Sequence, residues 1–537
     1  MNRGGLSRLR HRRAFAVAIV AAALLPAAGI VVRPATAAGS TGWTSSGNAI
    51  TTPGGARFVI SGINWYGFET TSFVAHGLYS QDYTTIVNEA KSYGYNTIRI
   101  PFSSQMWEQD PIPSRSRISA CPSCHGQHSR DILALIVNYA GSLGLHVILD
   151  NHRSEAGNSA EANGLWYVAS GNTNYPESHW ISDWTSIEDW SHGTLFGSDH
   201  VAVNAAASDG YPVVLGFDLR NEPHTPSRTS YLNGATWGSG DGVSPSSNPN
   251  PNPFSPTCVS TSTCHDWRLA AERAGDSILG EAASKGWAYP LVFVEGVSQY
   301  PTASGTMASG PYDYYWWGGE LAGVNGNAAN PGAPVVLNAG GSSTALGASV
   351  AGQLVYSAHD YGPSEYQSSW FNTSTCYAHG CSASSLADLW VHEWAYINAG
   401  GVAPAFGGAA YPWGSATAYT SAPVWIGEFG TGDTSADLYT SGAGSQGQWF
   451  TDLVNFLQSS YTTTTTNNPG LPAPVHNINW TYWALNGEDA YGLLTSSYSG
   501  LASSPKEYSF LCAGQQGPLA VTSAGGCGST GSLPAPN

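Results

Sequence analysis

The chain has 537 residues; only 10% are charged (19 Lys and Arg, 36 Asp and Glu), whereas 42% are hydrophobic and 12% aromatic. That apolar content excludes disorder driven by charge repulsion, and a formal charge of −17 with no basic stripe disfavours nucleic acid as a partner. Twenty Trp and 28 Tyr in so uncharged a chain suit either a large core or a surface that stacks on flat, neutral ligands.

At the N-terminus, Arg3, Arg8, Arg10, Arg12 and Arg13 precede an apolar run over residues 14–32, and Ala35-Thr36-Ala37 offers the small-x-small site that a signal peptidase accepts. Residues 1–37 are therefore expected to be a signal peptide. An uncleaved anchor is the alternative, since the run approaches the length of a spanning helix, and Arg12-Arg13 weakly resembles a twin-arginine export signal. Cleavage would remove six arginines and no acid, leaving a secreted, extracellular, strongly acidic protein with no membrane association. A surface so poor in ion pairs has little to lose as carboxylates protonate, so stability or activity at acidic pH is expected.

The mature chain alternates short β-branched runs with helical patterns, as βα units around a parallel sheet do. Strands are expected at residues 58–64, 97–102, 146–151, 213–221, 291–295, 354–359, 424–428 and 479–483. Helices are expected at 81–93, 130–143, 266–285, 384–399 and 446–459. Eight strands are the count of a closed (β/α)8 TIM barrel. Its long decorated βα loops would be 225–264, 305–334 and 403–421, rich in Gly, Ser, Pro and Asn. One domain, 38–515, followed by a Ser/Gly/Pro-rich tail at 516–537, fits the pattern best. A formal GxGxxG at 526–531 has no strand before it or helix after it, and His392-Glu393 lacks the second His of a zincin, because Tyr396 stands there.

Eight cysteines in an exported chain favour disulfides, and they fall into close pairs: Cys121 with Cys124, Cys258 with Cys264, Cys376 with Cys381, and Cys512 with Cys527. Cys121-Pro122-Ser123-Cys124-His125 also spells a c-type haem attachment sequence, and with His128 it could offer zinc ligands. A stapled loop is the simpler reading.

Polar residues stand at the C-terminal ends of the apolar strands, and in a closed barrel those ends converge on one rim. Arg99, His152, Asn221, Glu222, His359, Tyr361, Glu428 and Trp483 would line one pocket there. A barrel that needs only stability does not aim its charges at that rim.

This constellation resembles glycoside hydrolase family 5, the old cellulase family A, over nearly the whole mature chain. Residues 62–70, 94–101, 214–224, 266–275, 293–297, 316–319, 354–361 and 423–430 resemble the secreted bacterial endoglucanases of its subfamily 1. The resemblance implies a retaining endo-β-1,4-glucanase in which Glu222 is the proton donor and general base, and Glu428 the nucleophile that forms a covalent glycosyl-enzyme. It implies that Arg99 and Tyr361 keep Glu428 ionised, that Asn221 binds the 2-hydroxyl, that His152 and His359 orient sugar and acid, and that Trp483 forms the floor. The carboxyls would lie about 5–5.5 Å apart. Trp65, Trp316 and Trp317 are expected as sugar platforms with His76 as a polar contact, and Asp360 as a structural residue pointing away from the cleft. No cofactor or metal is called for, the expected partner is a β-1,4-glucan, and the expected state is a monomer. The segment 153–166 and the loop 225–264 depart from the family pattern, so a β-mannanase or xyloglucanase on the same scaffold is the alternative, as is an inactive carbohydrate-binding protein using the same cleft.

Overall fold

The computed structural model describes residues 42–168, 175–226, 234–239, 265–301, 312–325, 332–337, 351–371, 383–401, 421–440, 442, 444–458, 460–461, 471 and 473–502. The expected signal peptide, the C-terminal tail, most of the 225–264 and 403–421 loops and six of the eight cysteines lie outside these residues. Among the described residues no helix is long and apolar enough to cross a membrane.

Eight parallel strands close into a barrel. They are β1 (Ser61–Asn64), β2 (Thr97–Ser103), β3 (His146–Arg153), β4 (Val214–Asp218), β5 (Leu291–Glu295), β6 (Leu354–His359), β7 (Val424–Glu428) and β8 (Asn479–Tyr482). Each pairs with the next, and β8 returns to β1 with Tyr482 opposite Ile63. The register aligns the polar strand ends: Asn64 lies opposite Arg99, Asp150 opposite Asp218, Ser357 opposite Glu295 and His359 opposite Glu428. Expected strand limits differ in two informative places. Residues 57–58 belong instead to a small antiparallel sheet with residues 44–51, and β4 stops at Asp218, so Asn221 and Glu222 stand on the turn beyond it.

Helices α1 (Tyr83–Ser92), α2 (Ser104–Gln109), α3 (Ser129–Ser142), α4 (Glu177–Ser191), α5 (Trp267–Lys285), α6 (Ala383–Trp390), α7 (Tyr396–Ala399), α8 (Ser435–Tyr439) and α9 (Gln446–Gln458) lie among the strands in sequence. The Asp82 side chain caps α1 on Thr84 N at 3.0 Å, and Gly286, at φ +70°, ends α5 in the left-handed conformation that glycine adopts freely. The helix expected at 384–399 is interrupted by a π-helical turn, Val391–Ala395, whose side chains are all buried. Helices α2, α4 and α8 were not anticipated. In α4 the apolar signal is carried by tryptophans diluted among Ser, Asp and Glu, yet Trp180, Trp184 and Ile187 keep the helical spacing that buries one face.

Two apolar layers follow from the barrel. One fills the space between strands and helices; the other, inside the barrel, joins Ile148, Leu215, Leu291, Phe293, Val355 and Trp425 to Trp43, Ile50 and Ile60. Strand alternation puts a polar side chain two residues above each apolar one on the same face, as with Ile148 and Asp150, Phe293 and Glu295, or Val355 and Ser357. Trp43 closes the lower end: it is fully buried, its rings lie 4.8 Å from Phe58 and 4.7 Å from His146, and its Nε1 donates to Pro212 O at 3.2 Å.

Cys121 and Cys124 form a disulfide. Both thiols are consumed in that bond, which removes the haem and zinc readings of this sequence, and His125 Nε2 meets the Ile118 carbonyl at 3.0 Å instead. The other three pairs fall outside the described residues.

Replacing Trp43 by Ala should lower the unfolding free energy by about 3–5 kcal/mol, measured by denaturant titration. Unchanged stability would mean that the lower end of the barrel is not a packed layer.

Candidate active site

Arg99 rises from β2 into the centre of the barrel rim with no solvent exposure, its guanidinium carbon 5.8 Å above the Trp425 ring. A buried cation must be surrounded by acceptors, and here the ends of β1, β3, β4, β5 and β7 supply them. Its Nη1 donates to Glu428 Oε1 at 2.7 Å and to Asn64 Oδ1 at 3.0 Å. Nη2 donates to Asn221 Oδ1 at 3.0 Å, and lies 3.1 Å from Asp150 and 3.4 Å from Glu295, while Nε donates to Asp218 at 2.9 Å. Burial opposes the charge on Arg99, but Asp150, Asp218, Glu428 and Glu295 outweigh it and hold its pKa well above the ordinary value.

Around this hub the two expected glutamates come together: an oxygen of Glu222 and an oxygen of Glu428 lie within 4.8 Å of each other. Their surroundings push them apart in protonation. Burial, reinforced by Glu428 and Glu295 and opposed by His359, pushes the Glu222 carboxyl up to about 7. Burial acts upward on Glu428 too, yet His359, Arg99, His152 and a hydrogen bond from Tyr361 bring it below the usual carboxylate range. Tyr361 donates that bond to Glu428 Oε2 at 2.8 Å, and His359 Nδ1 lies 3.0 Å from Glu222 Oε1. Glu222, Glu428 and His359 are also the one set of acidic and histidine ligand atoms among the described residues close enough to share a metal ion, and Arg99 already supplies positive charge beside Glu428.

The turn that presents Glu222 is fastened from behind. Trp180 and Trp184 of α4 both donate to the Leu219 carbonyl, at 3.0 and 3.2 Å. Asn221 N donates to Asn151 O at 3.1 Å, and buried Arg220 donates to Asn151 Oδ1 at 2.6 Å and to Leu165 O at 2.9 Å, tying down the divergent segment after His152. Glu222 itself has φ +49°, a left-handed conformation that a non-glycine residue keeps only when its surroundings over-determine it.

His152 also sits at this rim, its Nδ1 2.7 Å from Asp150 Oδ2 and its ring stacked 5.8 Å from Trp483; burial holds its pKa well below the ordinary histidine value. Trp483 is half-buried and stacks on Tyr66 at 5.2 Å with the planes 10° apart. His76 is half-buried beside Tyr66, with Nδ1 2.8 Å from Glu488 Oε1. Trp317 is 39% exposed and lies flat on His224 at 3.7 Å, whereas Trp316 is half-buried against Tyr361 and Trp370. Asp360 points away from the cleft, accepting from Tyr315 at 2.6 Å and Trp449 at 2.8 Å.

Trp65 is a correction. It is fully buried in the outer core and its Nε1 donates to His76 O at 2.9 Å, so it offers no face to a sugar. Asn64 is turned towards Arg99, which sends the next side chain to the opposite face and brings Tyr66 back to the cleft. Tyr66, Asn64, Asp150, Asp218 and Glu295 are the residues that sequence reasoning left unassigned. The signal was present, for Asn64 and Glu295 end β1 and β5 just as Glu428 ends β7.

Facing carboxyls driven to opposite protonation states at the rim of such a barrel define a glycoside hydrolase. A family model described as cellulase (glycosyl hydrolase family 5) matches residues 54–410. The chain is 30% identical over 457 residues to an endoglucanase of Paenibacillus polymyxa, covering 85% of this chain and 83% of that one. It is 27% identical over 315 residues to the major extracellular endoglucanase of Xanthomonas campestris pv. campestris, covering 59% of this chain and about half (48%) of that one. A solved structure of the hyperthermophilic endocellulase of Pyrococcus horikoshii aligns with a TM-score of 0.57 at 25% identity, covering 86% of this chain and 96% of that one. The chain belongs to the cellulase family, glycosyl hydrolase family 5.

Burial pushes Asp360 up to about 7 and Glu69, away from the Arg99 cluster, up to about 8. Unfolded carboxyls titrate near about 4, so between there and pH 8 these groups, with Asp199 and Glu272 raised to about 6, hold more protons in the folded chain; they outnumber His152 and His224, which burial keeps unprotonated and which work the other way, and stability falls as pH rises. Glu488 works the other way at lower pH: burial pushes it up, but hydrogen bonds from His76 and Tyr498 hold it at about 2. The thermal midpoint should therefore increase as pH is lowered from 8 to 5, measured by scanning calorimetry; a decrease over that range would contradict the buried protonated carboxyls.

Proposed function

We propose that the chain is a secreted endo-β-1,4-glucanase that cleaves internal bonds of cellulose or a soluble β-glucan with retention of configuration. The observation that carries this reading is the approach of Glu222 and Glu428 within 4.8 Å, too close to leave room for the water that an inverting pair holds between them.

Glu222, kept protonated by its burial, gives its proton to the glycosidic oxygen as the leaving sugar departs. Glu428, ionised beside Arg99 and Tyr361, attacks the anomeric carbon and forms the glycosyl-enzyme. Glu222, now a carboxylate, takes a proton from water as that water displaces Glu428, which restores both groups. Asn221 has its amide oxygen engaged by Arg99, so its NH2 is the end that meets the 2-hydroxyl. The Trp483–Tyr66 pair provides a flat apolar floor for a pyranose, and Trp317 a second platform. Export is supported by the segment 1–37 and by the extracellular description of the Xanthomonas relative.

On carboxymethylcellulose, Glu428→Gln should abolish reducing-sugar release, and Glu222→Gln should slow it about 10²–10⁴-fold. The pH profile of wild type should be a bell that falls above about 7, where Glu222 loses its proton, and falls on the acid side below the ordinary carboxylate range as Glu428 gains one. Proton NMR of the first products should show the β-anomer. Release from mannan or xyloglucan but not from a β-1,4-glucan would replace the substrate assignment, and no release from any β-glycan would leave only carbohydrate binding.

A further inference from the structure

The double displacement makes no use of Glu295, although this carboxyl is fully buried at the centre of the site. Its two oxygens have separate partners. Oε2 accepts the backbone N–H of Glu222 at 2.7 Å. Oε1 accepts from Arg99 Nη2 at 3.4 Å and lies 3.2 Å from His359 Nε2, within ion-pair range although off the line of the N–H bond. The opposite nitrogen of that ring is the one that meets the Glu222 carboxyl. Glu295 therefore reaches Glu222 twice, once at the backbone and once across the His359 ring.

The neighbouring elements guard this arrangement. The Trp267 indole, at the start of α5, donates to the Glu295 carbonyl at 2.8 Å. Gly318, at φ +71°, passes so close that a Cβ there would land on Glu295 Oε2. The charged and titratable groups facing Glu295 and its His359 partner are Arg99 from β2, Asp150 from β3, Asp218 from β4, Glu222 beyond it, and Glu428 from β7.

We propose that Glu295 is a positioning residue for the acid/base: it holds the Glu222 backbone in its left-handed turn and, through His359, aims the Glu222 carboxyl at the glycosidic oxygen. This rests on the assignment of Glu222 as proton donor. The carboxyl is suited to the task because both of its oxygens can accept. A glutamine in its place offers only one accepting atom, so either the backbone contact or the contact to His359 and Arg99 must be lost, whichever way the amide is turned.

Two substrates that differ in leaving group separate positioning from mere stability. In Glu295→Gln, kcat/KM on cellotetraose, whose leaving sugar needs protonation, should fall about 10²-fold, the cost of a small misplacement of a reacting group. For 2,4-dinitrophenyl β-cellobioside, whose leaving group needs little help, kcat/KM should stay within about 3-fold of wild type. Gly318→Ala, which displaces Oε2 while keeping Glu295 a carboxylate, should show the same split, and it carries the test if Glu295→Gln does not fold. Equal losses on both substrates, or none on either, would overturn the proposal. Glu222→Gln measured alongside must show the split too; if it does not, the assignment of Glu222 itself is what fails.

Discussion

The fold is organised around one guanidinium placed where water cannot reach it. A buried cation on the order of Arg99 is tolerable only if its neighbours neutralise it and fill its donors, and the acids that do so stand on β3, β4, β5 and β7. The dependence is mutual, because those carboxyls would be equally costly to bury without the arginine. The strand register satisfies both needs at once: it brings Asn64, Asp150, Asp218, Glu295 and Glu428 to the height of Arg99. Below them lies an apolar layer floored by Trp425 and Trp43, so charges in the rim are not screened from beneath.

From that hub the two principal glutamates acquire different characters although the side chains are the same. Glu428 touches Arg99 and a phenol hydroxyl directly. Glu222 touches neither; it stands on a turn beyond β4, with one imidazole as its side-chain partner and its backbone drawn back by a third carboxyl. The set of partners, not residue type, separates them: His359, Arg99, His152 and Tyr361 act together on Glu428, whereas His359 alone works against burial at Glu222. The abundance of aromatics follows similar logic. Trp180, Trp184 and Trp267 pack behind the turns and spend their indole N–H groups on the carbonyls of Leu219 and Glu295, while Tyr66 and Trp483 stack on each other and Trp317 lies exposed on His224.

Much of this was legible in the chain because strand ends have a simple grammar. An apolar run buried on both faces announces a barrel strand, and the polar residue that closes it must lie at the rim, which located His359 and Glu428 without coordinates; Arg99, inside β2, stood out as a charge within such a run. Strands β5, β6 and β7 have the limits expected of them. What escaped depended on parity and on partners. Trp65 is one residue from the cleft in sequence and on the wrong side of the strand in space, a distinction that only the pairing of Asn64 with Arg99 decides. Helix α4 was hidden because tryptophans did the work of aliphatic residues. The role of Arg220 in holding the segment after His152 could not be read at all, since it rests on contacts more than fifty residues apart.

The closing of β8 onto β1 has a consequence for how the molecule comes into being. The last strand begins at residue 479 and its partner at residue 61, so the ring cannot be completed until nearly the whole chain is available. Contacts so distant in sequence are slow to form, because loop closure must be suffered before pairing compensates it. The acids around Arg99 likewise come from positions 150 to 428. An intermediate that has folded β2 without β3, β4, β5 and β7 would hold Arg99 apart from every acid that faces it. The complete set of partners around Arg99 is thus a property of the finished ring, and of no fragment short of it.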